Sequence, residues 1–203
     1  MLRKAIPLKA LRTERVLIRP AYVKDAAIMH EAMKASFPQL KRWMPWAQSL
    51  ASLRDTEYYL AQGEKMWNSP LHDGVELPMQ IMDLTQTIYY GATGIKPALL
   101  AIPSFEIGYW VNQPYAKQGF ITEGMNALTR YLFDVLKAKR VEINCEESNI
   151  DSAKVPQRLH YAFEGTLKNY RLNATGKIVT NSLIYACTDI SQLPPLSYVY
   201  DKL

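Results

Sequence analysis

Several protein classes are excluded by what this sequence lacks. Only two cysteines, Cys145 and Cys187, occur in 203 residues, too few for a disulfide framework or a four-ligand zinc site. One disulfide between them is the single oxidised alternative. No stretch approaches the roughly 18 uninterrupted apolar residues of a membrane span. Residues Met1 to Ala10 mix basic side chains with short apolar patches, too weak for the hydrophobic region of a secretory signal. These absences predict a cytoplasmic protein. The histidines His30, His72 and His160 show no metal spacing, so no metal is expected. There is no Gly-x-Ser-x-Gly elbow and no nucleotide P-loop, which argues against a serine hydrolase or an NTPase. Repeats, low-complexity tracts and linkers are missing too, and the length suits one domain, residues 1–203.

What is present is globular. Hydrophobic residues make up 48% and charged residues 21%, ordinary values that exclude disorder. The formal net charge of +5 is mildly basic and compatible with nucleic acid, an acidic partner or a phosphate-bearing cofactor. The basic residues are scattered, apart from small groups such as Lys41-Arg42 and Lys137-Lys139-Arg140, and no zinc-finger, RRM or homeodomain signature accompanies them. Nucleic-acid binding therefore rests on charge alone, and a solvated basic surface is the simpler reading.

Periodicity organises the chain. Arg15 to Arg19 reads as a strand stopped by Pro20, and Asp25 to Ser36 as a helix with Ile28, Met29, Ala32 and Met33 on one face. Phe37 to Gln48 reads as an aromatic, proline-containing loop. Ser52 and Asp55 form a capping-box pattern that opens a second helix bearing Leu53, Leu60 and Trp67. Val75 to Met82 and Thr87 to Ile95 suit a hairpin. In Phe105 to Val111, Phe105, Ile107, Tyr109 and Val111 face one way, opposite Glu106, Gly108 and Trp110. After Gly119 comes a helix with the stripe Ile121, Met125, Leu128, Leu132 and Val135. Val141 to Glu146 is a strand and Ser152 to Tyr161 a short helix. Phe163 to Leu172 and Ile178 to Thr188 are strands split by a turn at Asn173 to Gly176. Strands mixed with helices in this order predict a mixed α/β or α+β sheet.

The strand ending at Val111, its short loop and the helix near Gly119 make an anion site in physical terms. The first N–H groups of a helix have no internal partner, and the helix dipole adds partial positive charge there. Alone, this signal is weak. The wider stretch is more specific: Glu106-Ile-Gly-Tyr-Trp-Val111, Tyr115-Ala-Lys-Gln-Gly-Phe-Ile-Thr-Glu123, Arg140-Val-Glu-Ile143, Asn149-Ile-Asp-Ser152 and Phe163-Glu-Gly-Thr-Leu-Lys-Asn-Tyr170, in that order. It resembles the GCN5-related N-acetyltransferase superfamily, in its branch of ribosomal-protein N-terminal acetyltransferases (RimJ/RimL-like). Arg42-Trp-Met-Pro-Trp46 resembles a substrate-side loop of that branch. The resemblance, and with it the expected domain core, runs from about residue 14 to residue 188.

The resemblance implies a mixed, mostly antiparallel sheet, splayed between strands 4 and 5, with acetyl-CoA wedged where they part. It implies that Trp110 and Val111 offer backbone groups to the acetyl and pantetheine portions. Gln118, Gly119, Phe120, Ile121 and Thr122 would direct amides at the pyrophosphate, and Asn149 would contact the pantetheine arm or help shape that channel. Ser152 would lie near the sulfur as proton donor to the departing thiolate. The phosphate loop departs from the usual Arg/Gln-x-x-Gly-x-Gly/Ala pattern, reading Ala116, Lys117, Gln118, Gly119, Phe120, Ile121. Lys117 stands where many relatives carry glycine and adds a charge that compensates or merely points into water. Ile121 is bulky where a small residue lets phosphate approach. Leu159-His160-Tyr161 replaces the usual Leu-Gly-Phe, with His160 read as part of the short helix, and Pro156 interrupts that helix.

Acetyl transfer needs a neutral amine, a polarised carbonyl and a stabilised thiolate. Glu106 is the expected general base through water, against a plain exposed strand glutamate. Ser152 is the expected general acid, against a plain helix N-cap. Arg171 occupies the position of a glutamate given the base role in some relatives, so that role does not transfer. Cys145 and Cys187 read as small buried residues, and Trp43 and Trp46 either line the acceptor site or fill core beneath the first helices, packing being the simpler reading. The expected function is transfer of acetyl from acetyl-CoA to a primary amine, a protein N-terminal α-amine or a small molecule. The alternative is an acyl-CoA-binding or interaction module that kept the fold and lost turnover. A homodimer is compatible with the resemblance, with Tyr198 and Tyr200 as exposed contact residues.

Overall fold

The computed structural model describes residues 6–202. Strands β1 (Ala10–Arg12) and β2 (Leu17–Pro20) precede helices α1 (Ala26–Trp43) and α2 (Leu53–Trp67). There follow β3 (Leu77–Met82), β4 (Tyr89–Leu99), β5 (Ser104–Val111), α3 (Phe120–Asp134), β6 (Arg140–Glu146) and α4 (Ile150–Arg158). The hairpin β7 (Ala162–Leu172) and β8 (Val179–Cys187) comes next, and β9 (Val199–Asp201) ends the order. One sheet runs β7-β8-β6-β5-β4-β3-β2-β1-β9. Its strand pairs are antiparallel, except for the parallel pair β5–β6. β1 and β9, three residues each, are too short to show alternation. Because β1 comes first, the strands expected as fourth and fifth are β5 and β6.

The sheet separates two cores. Leu128, Tyr131, Leu132, Phe105, Ile107 and Ile143 belong to the one beneath α3 and α4. Met29, Met33, Leu60 and Trp110 belong to the one beneath α1 and α2. The alternation of β5 is thus real: Phe105 and Ile107 are buried on one side, and Trp110 on the other. The capping box of α2 also forms, with Ser52 Oγ accepting from Asp55 N and the Asp55 carboxylate from Ser52 N.

Helix α1 does not stop at Ser36. It continues through Pro38 to Trp43, although an interior proline loses one helical hydrogen bond and costs about 3 kcal/mol. Ser36 and Leu40 are buried on either side of it, so tertiary packing overrides the local penalty. Helix α4 likewise runs through Pro156. His160 lies just beyond α4 with φ 58°, so it adopts the left-handed conformation that the usual glycine would take. Cys145 and Cys187 are both free and buried; Cys187 faces Val141 and Cys145 faces Leu183 in the β6–β8 register, several rows apart. Tyr198 and Tyr200 are half-buried rather than exposed: Tyr198 donates to Asp134 Oδ2 at 2.6 Å, and Tyr200 meets the Tyr131 ring edge-on.

Candidate active site

The parallel ladder of β5 and β6 has three rungs, Ser104–Arg140, Phe105–Val141 and Glu106–Glu142. Past them the strands part. β5 stays with β4 as far as the Val111–Gly91 pair, while β6 turns towards β8 and keeps pairing to Glu146–Ser182. The edges that face each other across the gap therefore have no strand partner for their main-chain groups. A cleft of about 610 Å³ opens there, within the size range of small-molecule sites. Gly108 forms part of its lining, and a β-carbon there would meet no atom within 4 Å. Gly108→Val is expected to fold with an unchanged or higher melting temperature, since a β-branched residue suits a strand. It should lower kcat/KM about tenfold by filling the cleft, as steady-state kinetics beside a thermal melt would show.

On one side of the gap lies the loop from β5 to α3. Asn112 anchors its start: Nδ2 donates to Tyr89 O at 2.8 Å, and Oδ1 accepts from Ser36 Oγ at 3.3 Å. Lys117 (φ 62°) and Gly119 (φ 87°) are both left-handed. Such a backbone costs a non-glycine residue roughly 1–2 kcal/mol, so Lys117 keeps the conformation of the glycine it replaces. No side chain among the described residues caps α3, whereas Ser52 and Asn149 cap α2 and α4. Its first-turn amides thus keep their capacity for an anion. The Ile121 side chain is buried in the core and packs against Gly91, so its bulk is directed inward. Phe120 stacks on Tyr90 at 3.9 Å, and Thr122 is half-buried in the first turn.

Arg15, expected only as the first residue of a strand and lying just before β2, braces this loop. Its Nη1 donates to Gln118 O at 3.2 Å, its Nε to Glu123 Oε2 at 2.6 Å, and its guanidinium lies 5.0 Å from the Phe120 ring centre. Gln118 Nε2 donates to Pro114 O at 3.2 Å. Lys117 is exposed. The Asp151 carboxyl on α4 is held below the usual range by a hydrogen bond from Lys154 and its charge, with Lys117 adding a smaller pull.

Ser152 is not the N-cap. Asn149 holds that place, its Oδ1 accepting from Ser152 N at 3.2 Å, which leaves the Ser152 hydroxyl free for other work. Asn149 and Ser152 both line the cleft. Tyr109 reaches across from β5: its hydroxyl donates to Ser152 O at 2.7 Å and accepts from Ser152 Oγ at 3.3 Å. The Cys145 thiol is pushed up by burial, against a hydrogen bond with Ser152 that lowers it. Burial thus disfavours its thiolate form.

The other face of the sheet carries acids. Glu106 lines the cleft, with Lys96 Nζ 3.4 Å from its Oε2. Glu76 sits over Gly94; desolvation pushes its carboxyl up, Lys96 opposes this, and Glu106 adds to it. Asp55, Glu146 and Arg171 complete the charged lining. Asn144 Oδ1 is buried without a hydrogen-bond partner among the described residues and belongs to the cleft wall; such a group calls for a donor from a ligand or water. Trp43 and Trp46 line the cleft too, and Trp46 is 53% exposed. They are wall residues, not packing under α1 and α2. The linear sequence held no signal for Glu76, since the contacts that place it come from other strands.

The comparisons agree with this fold. The model of the acetyltransferase (GNAT) domain matches residues 15–162. YdaF of Bacillus subtilis (strain 168), provisionally assigned as a ribosomal N-acetyltransferase, is 34% identical over 158 residues, 77% of this chain and 82% of its own. The ribosomal-protein-serine acetyltransferase of Escherichia coli (strain K12) is 33% identical over 63 residues, 31% of this chain and 35% of its own. The structure of RimL, the ribosomal L7/L12 alpha-N-protein acetyltransferase, in complex with coenzyme A superposes with a TM-score of 0.76 at 19% identity, over 87% of this chain and 95% of that one. With a sheet that parts where an uncapped helix begins, and a family match over most of its length, the chain belongs to the GNAT acetyltransferase family and is an acetyl-CoA-dependent N-acetyltransferase.

Proposed function

We propose that this enzyme acetylates the α-amino group of a protein N-terminus, working as one domain in the cytoplasm. The observation that carries the reading is the cleft itself, which has a hydroxyl, Ser152, at the strand gap and carboxylates on the opposite sheet face. The ribosomal acetyltransferases among its relatives support a protein acceptor. An α-amine has a pKa of about 8 against about 10.4 for lysine, so weak carboxylate bases suit the former.

Acetyl-CoA supplies the acetyl group as a thioester, whose sulfur departs as a thiolate. In this reading, the first-turn amides around Gln118, Gly119, Phe120, Ile121 and Thr122 hold the pyrophosphate, and Lys117 adds charge. The main chain at Trp110 and Val111, paired with β4 on one side and bordering the gap on the other, orients the acetyl and pantetheine portions, with Asn149 beside them. Glu106 takes the amine proton through water, with the Glu76 carboxyl near it. Ser152 donates a hydrogen bond to the leaving sulfur. A thiol pKa of about 8.5 makes that group a fair leaving group already, so positioning and carbonyl polarisation carry most of the rate.

Thiol release with acetyl-CoA and matched peptides tests the acceptor. Peptides with a free N-terminus should be turned over at least tenfold faster than N-terminally blocked peptides bearing an internal lysine. Equal rates on the blocked lysine peptides would overturn the α-amine assignment. For the cofactor side, Lys117→Glu should weaken acetyl-CoA binding about tenfold by calorimetry, since reversing a charge counts each interaction of under ~1 kcal/mol twice. Lys117→Gly, which keeps the left-handed backbone, should lose less. Unchanged affinity in both would mean Lys117 points into water.

A further inference from the structure

Pro156 sits inside α4, and the function described so far gives it no part. In an α-helix the N–H of residue 156 would donate to the carbonyl of residue 152, four positions earlier. Proline has no N–H, so the Ser152 carbonyl lacks its helical donor. The group that satisfies it comes from another element: the Tyr109 hydroxyl, at 2.7 Å. A tyrosine hydroxyl has one proton, so with that proton on the Ser152 carbonyl only its lone pairs remain. These accept from Ser152 Oγ at 3.3 Å. The Ser152 carbonyl is thereby held by a side chain of β5, while its hydroxyl keeps only a long contact with the same oxygen.

We propose that Tyr109 is a positioning residue that orients Ser152 for the departing thiolate, and that Pro156 frees the Ser152 carbonyl for it. This rests on the role given to Ser152 above. The position of Tyr109 on the parted stretch of β5 makes the bridge possible, because β6 no longer pairs with β5 beyond the Glu106–Glu142 rung and a side chain can cross the gap to α4. Burial pushes the Tyr109 hydroxyl well above its ordinary pKa, so it stays protonated and keeps donating. The 3.3 Å contact is long for an O–H···O bond. The Ser152 hydroxyl therefore re-aims readily at a thiolate, a charged acceptor that forms roughly twice as strong a bond. Tyr109 itself exchanges no proton with substrate.

The test is a set of full-length variants assayed for thiol release. Tyr109→Phe should lower kcat about tenfold, one hydrogen bond's worth, with KM for acetyl-CoA unchanged within about twofold. In a Ser152→Ala background the same change should cost less than about twofold, since nothing is left to orient. Pro156→Ala should restore part of the loss in Tyr109→Phe, because residue 156 regains an N–H for the Ser152 carbonyl. Equal losses with and without the Ser152 hydroxyl, or no loss at all in Tyr109→Phe, would overturn the proposal. If Tyr109→Phe is unfolded by circular dichroism, the Tyr109→Phe/Pro156→Ala pair decides. Folding with restored kcat supports the proposal, and folding without it or continued failure to fold defeats it. If Ser152→Ala alone leaves kcat intact, the reading of Ser152 itself is wrong, a result distinct from failure at Tyr109 only.

Discussion

Ser152→Ala is expected to lower kcat by about a hundredfold while leaving the Kd for acetyl-CoA within about twofold of the wild-type value. The size follows from chemistry. Positioned acids and bases contribute some 10²–10⁴-fold, and the low pKa of a thiol leaving group puts this case at the lower end. The split between kcat and Kd follows from structure. The Ser152 hydroxyl is not the α4 cap, a task that falls to Asn149 through the Ser152 main-chain N–H, so alanine preserves the helix start. Single-turnover rates beside calorimetric titrations would measure it, and a kcat within about threefold of wild type would remove Ser152 from the reaction.

The largest effect on stability is expected at Asp25. Its carboxylate receives Arg19 Nη1 and Nη2 at 2.8 Å each, Gln80 Nε2 at 2.5 Å and Tyr22 N at 3.1 Å. Arg19 is 6% exposed and Asp25 7%. Removing one partner of a buried pair leaves the other charge uncompensated and costs about 3–5 kcal/mol. Asp25→Ala should therefore lower the melting temperature on the order of 10 °C, in a place the cleft does not touch. Burial opposes ionisation of Asp25, but the hydrogen bonds and charge of Arg19, the Gln80 amide and the Tyr22 N–H outweigh it and lower its pKa. A lowered carboxyl contributes stability above its unfolded pKa of about 3.9, and loses it as pH falls through the folded value. Wild type should thus lose stability steeply below pH 4, and Asp25→Asn should show a shallower acid limb in urea melts. Parallel limbs would show that the pair contributes little.

The site was partly legible before any fold was known. Glu106 was placed opposite Phe105 and Ile107 by period-two alternation alone, and that is where it lies. Gly119 before the stripe of α3 was equally plain, because a helix start is a local event. Tyr109 was read correctly as facing the Phe105 side, but its partner is 43 residues away, and alternation says nothing about what a residue touches across a gap. The bracing of the phosphate loop by Arg15 spans 103 residues and had no local trace either. The end assigned to α1 at Ser36 failed for a related reason: Pro38 speaks against helix locally, while Ser36 and Leu40 are buried by packing that the sequence does not display.

Taken by itself, the sequence determined the periods of the elements, the two faces of β5, the helix starts at Ser52 and Gly119, and the ordered motifs of a GNAT acetyltransferase. Those are set by steric and hydrogen-bonding preferences within a few residues. Tertiary structure alone decided where β5 and β6 stop pairing, which acids gather round the gap, and why a proline belongs in α4. Each of these depends on atoms far apart in the chain competing for the same space or the same proton, and such competition exists only once the sheet has closed.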